Sequence, residues 1–147
     1  MSEFVPFKIA KKLKEKGFKE KCLTYYDVID NVGLLYNTQY TNDLSSCQYT
    51  DLLQSHNTDL SAYQSDDSEY CVDAPTIAQV LKWLREVLEI DILPKITISW
   101  IENLNRIRLY SCNIYSPRLN KSIETEYFES YEKSILAGID YALDNLI

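Results

Sequence analysis

Apolar residues recur at helical spacing in three stretches of the chain. In residues 6–16, Ile9, Ala10 and Leu13 form a narrow stripe, and Lys8, Lys11, Lys12, Lys14 and Lys16 fill the rest of the circumference. Gly17 stands where a left-handed C′ residue belongs. Phe18 and Leu13 occupy the two positions whose contact accompanies a Schellman cap. A second helix opens after Pro75. Thr76 and Gln79 match a capping box, and Ile77, Val80, Leu81, Leu84, Val87 and Leu88 follow at helical spacing, with Trp83 widening the face. A third helix is predicted over residues 126–146. Phe128, Tyr131, Ile135, Ile139, Ala142 and Leu146 share its main face, Leu136 and Leu143 form a second stripe, and Glu126 and Glu129 suit the dipole of its first turn.

Alternation with period two marks the strands. Residues 21–26 are rich in β-formers, and 33–36 read as their hairpin partner across a loop of 27–32. Over 95–101, Ile96, Ile98 and Trp100 share one face, and Thr97 and Ser99 the other. After an Asn-Leu-Asn turn at 103–105, residues 106–115 return. Their apolar parity changes between Ile107 and Leu109 on one side and Cys112 and Ile114 on the other, which predicts a β-bulge near Tyr110 and Ser111. These elements add up to a two-layer α+β fold, with helices on one face of an antiparallel sheet of three or four strands. Leu81, Leu84, Leu88, Ile135 and Ile139 are expected to bury against Ile96, Ile98 and Trp100.

A chain of 147 residues fits one domain and can bury about 68–70% of its unfolded surface. Residues 1–147 are therefore read as a single α+β domain carrying a polar, acidic insert at about 38–73. The charge distribution sets that insert apart. From Cys22 to Leu81 there is no Lys or Arg, but there are the acids Asp27, Asp30, Asp43, Asp51, Asp59, Asp66, Asp67, Glu69 and Asp73, in a chain of net charge −7. Such a stretch repels nucleic acid and membrane and invites a basic protein partner. Within it Asn42-Asp43-Leu44, Thr50-Asp51-Leu52 and Thr58-Asp59-Leu60 recur every eight residues. Three short copies are too few for a solenoid.

Catalytic signatures are sparse. No Gly-rich phosphate loop, H-E-x-x-H or G-x-S-x-G occurs. The one histidine, His56, lies in the polar insert, and Asp66-Asp67-Ser68-Glu69 lacks the glycine and closing glutamate of a calcium loop. Cys22, Cys47, Cys71 and Cys112 are too widely spaced for a zinc site and read as free thiols. The expectation is a non-enzyme with no cofactor and no metal. Without a basic n-region or an apolar run of membrane-spanning length, it is also expected to be cytoplasmic.

The segment Ala74-Pro75-Thr76-Ile77-Ala78-Gln79-Val80-Leu81-Lys82-Trp83-Leu84-Arg85-Glu86 resembles a recurrent element in small proteins of gut Bacteroidetes, their phages and mobile elements. Phe4-Val5-Pro6-Phe7 and Ser130-Tyr131-Glu132-Lys133-Ser134 carry the same resemblance. It implies a helix followed by a β-hairpin and a terminal helix in a bacterial or phage setting. It implies no activity.

Two candidate surfaces remain. The first is the acidic, Tyr-bearing insert with Asp43, Asp51, Asp59, Tyr63, Asp66, Asp67 and Glu69. It would serve as an interaction surface for a protein partner or as a mimic of nucleic acid. The second is a sheet face of Arg106, Arg108 and Tyr110, with Thr97 and Ser99 on the neighbouring strand. This arrangement suits single-stranded nucleic acid, although the net charge opposes it. The second stripe of the last helix would suit a homodimer.

Overall fold

The computed structural model describes residues 3–29, 32–37, 70–101 and 105–147. They form an α+β protein with two compact units, Ser2–Thr76 and Ile77–Ile147. Each unit has its own three-stranded antiparallel sheet. The expected single sheet is thus two: the early strands never join the hairpin strands, because they find a third partner in residues 70–73.

In the first unit, helix α1 (Phe7–Glu15) buries Ile9, Ala10 and Leu13. It ends in the predicted cap. Gly17 takes φ +88°, Gly17 N–H donates to the Lys14 carbonyl at 3.2 Å, and Phe18 N–H donates to Leu13 at 2.9 Å. Strands β1 (Thr24–Ile29), β2 (Val32–Asn37) and β3 (Tyr70–Asp73) pair in the order β2-β1-β3. The β1–β2 hairpin is tighter than the sequence suggested, since Ile29 pairs directly with Val32. β3 claims the last four residues assigned to the acidic insert, where Tyr70-Cys71-Val72-Asp73 is itself rich in β-formers. Residues 38–69 of the insert lie outside the described residues. Buried Thr24 Oγ1 donates to the Ala74 carbonyl at 2.6 Å, and Tyr26 OH donates to Val5 at 2.8 Å. These bonds fasten the segments flanking α1 and β3 to the central strand.

The second unit contains α2 (Ile77–Leu88), β4 (Asp91–Ile101), β5 (Asn105–Ser116), β6 (Lys121–Glu124) and α3 (Tyr131–Asn145), with sheet order β4-β5-β6. Its buried residues include Val80, Trp83, Leu84, Ile90, Ile92, Cys112, Ile114, Ile139 and Leu143. Leu84, Ile135 and Ile139 are buried as expected, Leu81 and Leu88 only partly, and Val87 faces solvent. β4 starts four residues before the predicted strand and contains Pro94, which strand order places on a sheet edge where a missing N–H is tolerated. β6 was not anticipated. The turn at 117–120 brings it back, closed by an Asn120 N–H bond to Pro117 at 3.1 Å, with Asn120 at φ 49°.

Three expectations fail here, and the failures are connected. α3 starts at Tyr131 rather than at residue 126. Ser130 caps it, its hydroxyl accepting the Lys133 N–H at 3.4 Å. The residues before it run along β5 instead: Thr125 N–H donates to the Cys112 carbonyl at 2.9 Å, and Phe128 and Tyr110 exchange backbone bonds at 2.7 and 2.8 Å. One extra residue therefore sits between Thr125 and Phe128, on the segment opposite β5. β5 itself is unbulged, and its register with β4 is continuous from Asn105 to Tyr115. The shortened helix packs over the base of the sheet. Gly138 lets it approach so closely that an added Cβ would lie 2.9 Å from Ile92 Cγ2 and 3.3 Å from Cys112 Cβ. The starting residue Tyr131 reaches only as far as Tyr110, ring edge to ring face at 5.9 Å. The five residues missing from the predicted start would have added about 7.5 Å of helix. Ile96, Ile98 and Trp100, expected in the core, lie beyond that cover and are 55%, 51% and 66% exposed.

Candidate interaction surface on the β4–β5 ribbon

The register decides which side chains share the uncovered face. Ile92 pairs with Ile114, Pro94 with Cys112, Ile96 with Tyr110, Ile98 with Arg108, and Trp100 with Arg106. Residues directly opposite in an antiparallel pair lie on the same side of the sheet, and every second residue shares it. The face that carries Ile92 and Cys112 under α3 is therefore the same face that carries Ile96, Ile98, Trp100, Arg106 and Arg108 farther out. The structure brings Arg106, Arg108 and Tyr110 to one face but gives them different neighbours from those predicted. Thr97 and Ser99 point to the opposite side, and three large apolar residues take their place. Tyr110 is half-buried against Tyr131 and forms the inner limit of the surface.

Arg106 leans across from β5, its guanidinium 5.6 Å from the centre of the Trp100 ring. This cation–π contact contributes about 0.5–1 kcal/mol at an exposed site. Among the described residues neither Arg106 nor Arg108 pairs with a carboxylate. Lys95, one step towards the base, differs: its ammonium meets Glu124 at 3.4 Å, and Glu124 also accepts from Ser111 at 3.0 Å. An open depression of ≈ 250 Å³ lies against Ile98, Arg106, Ile107 and Arg108.

Backbone geometry adds a second feature. Cys112 and Tyr110 direct their N–H and C=O groups towards the β6 side, as their bonds to Thr125 and Phe128 show. By alternation, the odd residues of β5 bond to the odd residues of β4, and the even residues of β4 face outward at the edge that no described strand occupies. Pro94 is one of those even residues and offers no donor. Ile96, Ile98 and Trp100 each offer a donor and an acceptor there.

Elsewhere, chemistry is muted. Burial, reinforced by nearby Asp73 and Glu20, pushes the Cys22 thiol far up, and burial also raises Cys112 despite its contact with Ser134 Oγ at 3.7 Å. Both cysteines are free and buried, so neither presents a reactive thiolate. Among the described residues no three metal-ligating side chains cluster, and the one buried polar side chain without a partner is the Ser116 hydroxyl. No helix among them is long and apolar enough to cross a membrane. The Lys face of α1 lines an open depression with Phe7, Lys8, Lys11, Lys12 and Glu15, and Lys11 Nζ lies 5.5 Å from the Phe7 ring centre. The predicted acidic-surface residues Asp43, Asp51, Asp59, Tyr63, Asp66, Asp67 and Glu69 lie outside the described residues. Sequence reading missed Trp100, Ile98 and Ile96 as surface residues. Their alternation was visible, but it looks the same whether the face is covered or bare. No family model, curated protein or solved structure matches the chain.

Proposed function

We propose that this protein is a non-catalytic interaction module that engages a partner through the outer half of the β4–β5 ribbon. The observation that carries the reading is the contiguous exposed group of Ile96, Ile98 and Trp100 beside two arginines that lack carboxylate partners among the described residues. Scattered exposed apolar residues are ordinary, but an apolar patch bordered by charge marks a contact surface. Trp and Arg are also the side chains that most often dominate interface energetics.

The test is a selection of ten-residue peptides from a random display library on the full chain. Retained peptides are expected to lose at least about tenfold in affinity for Trp100→Ala, as hot-spot truncations do. Peptides indifferent to Trp100→Ala, Ile98→Ala and Arg106→Ala would place the binding surface elsewhere. A second reading, binding of single-stranded nucleic acid, draws on the same Trp100–Arg106 pair, since exposed aromatics and arginines hold bases and phosphates. The net charge of −7 opposes it. Retention of an oligothymidylate that falls steeply with salt and is lost in Arg108→Ala would establish this second reading instead.

A further inference from the structure

Taking that ribbon as the docking surface, we infer that its occupant is an extended acidic segment of a partner protein, added as a new strand along the edge of β4 that no described strand occupies, between Ile96 and Trp100. Three observations converge on this mode. The first is the direction of the backbone. Even-numbered β4 residues turn their peptide groups away from β5, so Ile96, Ile98 and Trp100 present a row of donors and acceptors at the sheet edge. The second is the absence of the usual edge defences. Proteins block such edges with proline, lysine, bulges or short strands. β4 has Pro94 and Lys95 at its base, but residues 96–101 read Ile-Thr-Ile-Ser-Trp-Ile, with no charge and no proline. The strand is 11 residues long and unbulged. The guarded part of the edge stops where the helix cover stops.

The third observation concerns charge. Arg106 belongs to β5, yet its guanidinium lies over Trp100 of β4. Its charge is thereby carried to within about one strand spacing, 4.8 Å, of the line an added strand would follow. Arg108 lies two residues along on the same face. An incoming strand places alternate side chains on that face. Acidic residues at those positions meet the two guanidinium groups, while their methylene stems rest against Ile98 and Trp100. The positions between them face the side of Thr97 and Ser99, where β-branched residues suit the pleat. The recognition pattern is a short run of alternating acidic and β-branched residues, in which main-chain bonds supply affinity and the arginines select the sign.

The probe is a labelled, end-capped ten-residue peptide of alternating Glu and Val, titrated against the full chain at low salt by fluorescence anisotropy. Its own like charges keep it from pairing with itself. Saturable binding tighter than about 1 mM is expected, with the alternating Lys-Val peptide at least tenfold weaker and Arg106→Ala or Arg108→Ala each losing about tenfold. The distinguishing comparison is Ile98→Pro against Ile98→Ala. Both remove the side chain, but only proline removes the outward N–H. Because that N–H makes no bond to β5, the ladder is unaffected. Ile98→Pro is expected to bind at least about tenfold more weakly than Ile98→Ala. On peptide addition, amide exchange at Ile96, Ile98 and Trp100 should slow while Thr97 and Ser99 stay as they were. This measurement on the wild type decides the matter if Ile98→Pro does not fold.

Equal loss in Ile98→Pro and Ile98→Ala, with unchanged exchange, would overturn strand addition and leave the docking surface standing. No saturation by the Glu-Val peptide, while library peptides still depend on Trp100, would overturn the acidic occupant alone. A chain that sediments at twice 17.1 kDa and becomes monomeric in Ile98→Pro would show that a second copy takes the edge. If no peptide responds to any of these substitutions, the inference and the proposed function fall together.

Discussion

Cys22 illustrates how much one buried side chain can reveal about pH. Its thiol is 1% exposed, donates to the Glu20 carbonyl at 3.4 Å, and is pushed up first by burial and then by Asp73 and Glu20. The folded form therefore holds its proton at pH values where an unfolded chain releases it. Below about pH 8.5 both states are protonated, and the full stabilisation is present. Above that pH the unfolded state binds fewer protons. Unfolding then becomes easier by up to about 1.4 kcal/mol per pH unit from this group alone, until the folded thiol also ionises. Cys112, raised by burial, and half-buried Tyr26, raised for the same reason, act in the same direction. Urea midpoints between pH 7.5 and about pH 10 should fall for the wild type and fall less steeply for Cys22→Ala. Parallel curves would show that Cys22 does not drive the alkaline loss.

Among the elements, α3 and the sheet beneath it are the most tightly matched pair. Gly138 is a poor helix residue by propensity, about 1 kcal/mol below Ala, and an exposed helix would gain from Gly138→Ala. Here the new methyl group would sit 2.9 Å from a branch of Ile92, whose β-carbon is fixed to the strand, and 3.3 Å from Cys112 Cβ. Neither neighbour is the tip of a flexible side chain, so the overpacking cost of about 1–3 kcal/mol exceeds the propensity gain. A thermal midpoint lowered in Gly138→Ala is the expected result, and a raised one would mean that helix and sheet can separate without penalty. The other element boundaries follow local chemistry. α1 ends at Gly17 by a cap legible in the sequence. α2 turns at Glu89, which takes φ 55°, and Ile90 N–H closes onto the Leu84 carbonyl at 3.0 Å. A glutamate in the left-handed region carries no such signal in the sequence.

At the scale of the molecule, a net charge of −7 protects a chain whose β4 edge is neutral and is paired with no other strand among the described residues. Like charge holds copies apart near pH 7, but that protection fades towards the sequence pI of about 4.7. Turbidity should rise there, driven by the run from Ile96 to Ile101, which has the uncharged, β-rich character of a pairing-prone segment. Ile98→Lys places a charge at the centre of that edge, on a side chain that is half exposed already. The expected outcome is reduced turbidity near pH 4.7, with unfolding free energy unchanged to within about 0.5 kcal/mol. Undiminished aggregation of Ile98→Lys would locate the sticky surface elsewhere.

The sequence by itself determined the α+β class, the three helices, the narrow apolar stripe of Lys-rich α1 with its Gly17–Phe18 cap, and the antiparallel pairing of the two longest strands. The helices and the cap rest on interactions a few residues apart, and the β4–β5 pairing on strands adjacent in the chain, so periodicity, turn and capping chemistry suffice to reveal them. It also showed that Ile96, Ile98 and Trp100 share a face. Only the tertiary structure decided whether that face was covered. The answer depended on where α3 begins, and that depended on a competition between helix extension and the bonds that tie Thr125 and Phe128 to Cys112 and Tyr110. The same kind of competition divided the strands between two sheets, because residues 70–73 pair with β1 across a long stretch of chain. A hydrophobic pattern records that a residue can be buried. Whether a partner element reaches it is settled between segments far apart in sequence, and on the β4–β5 ribbon no described element does.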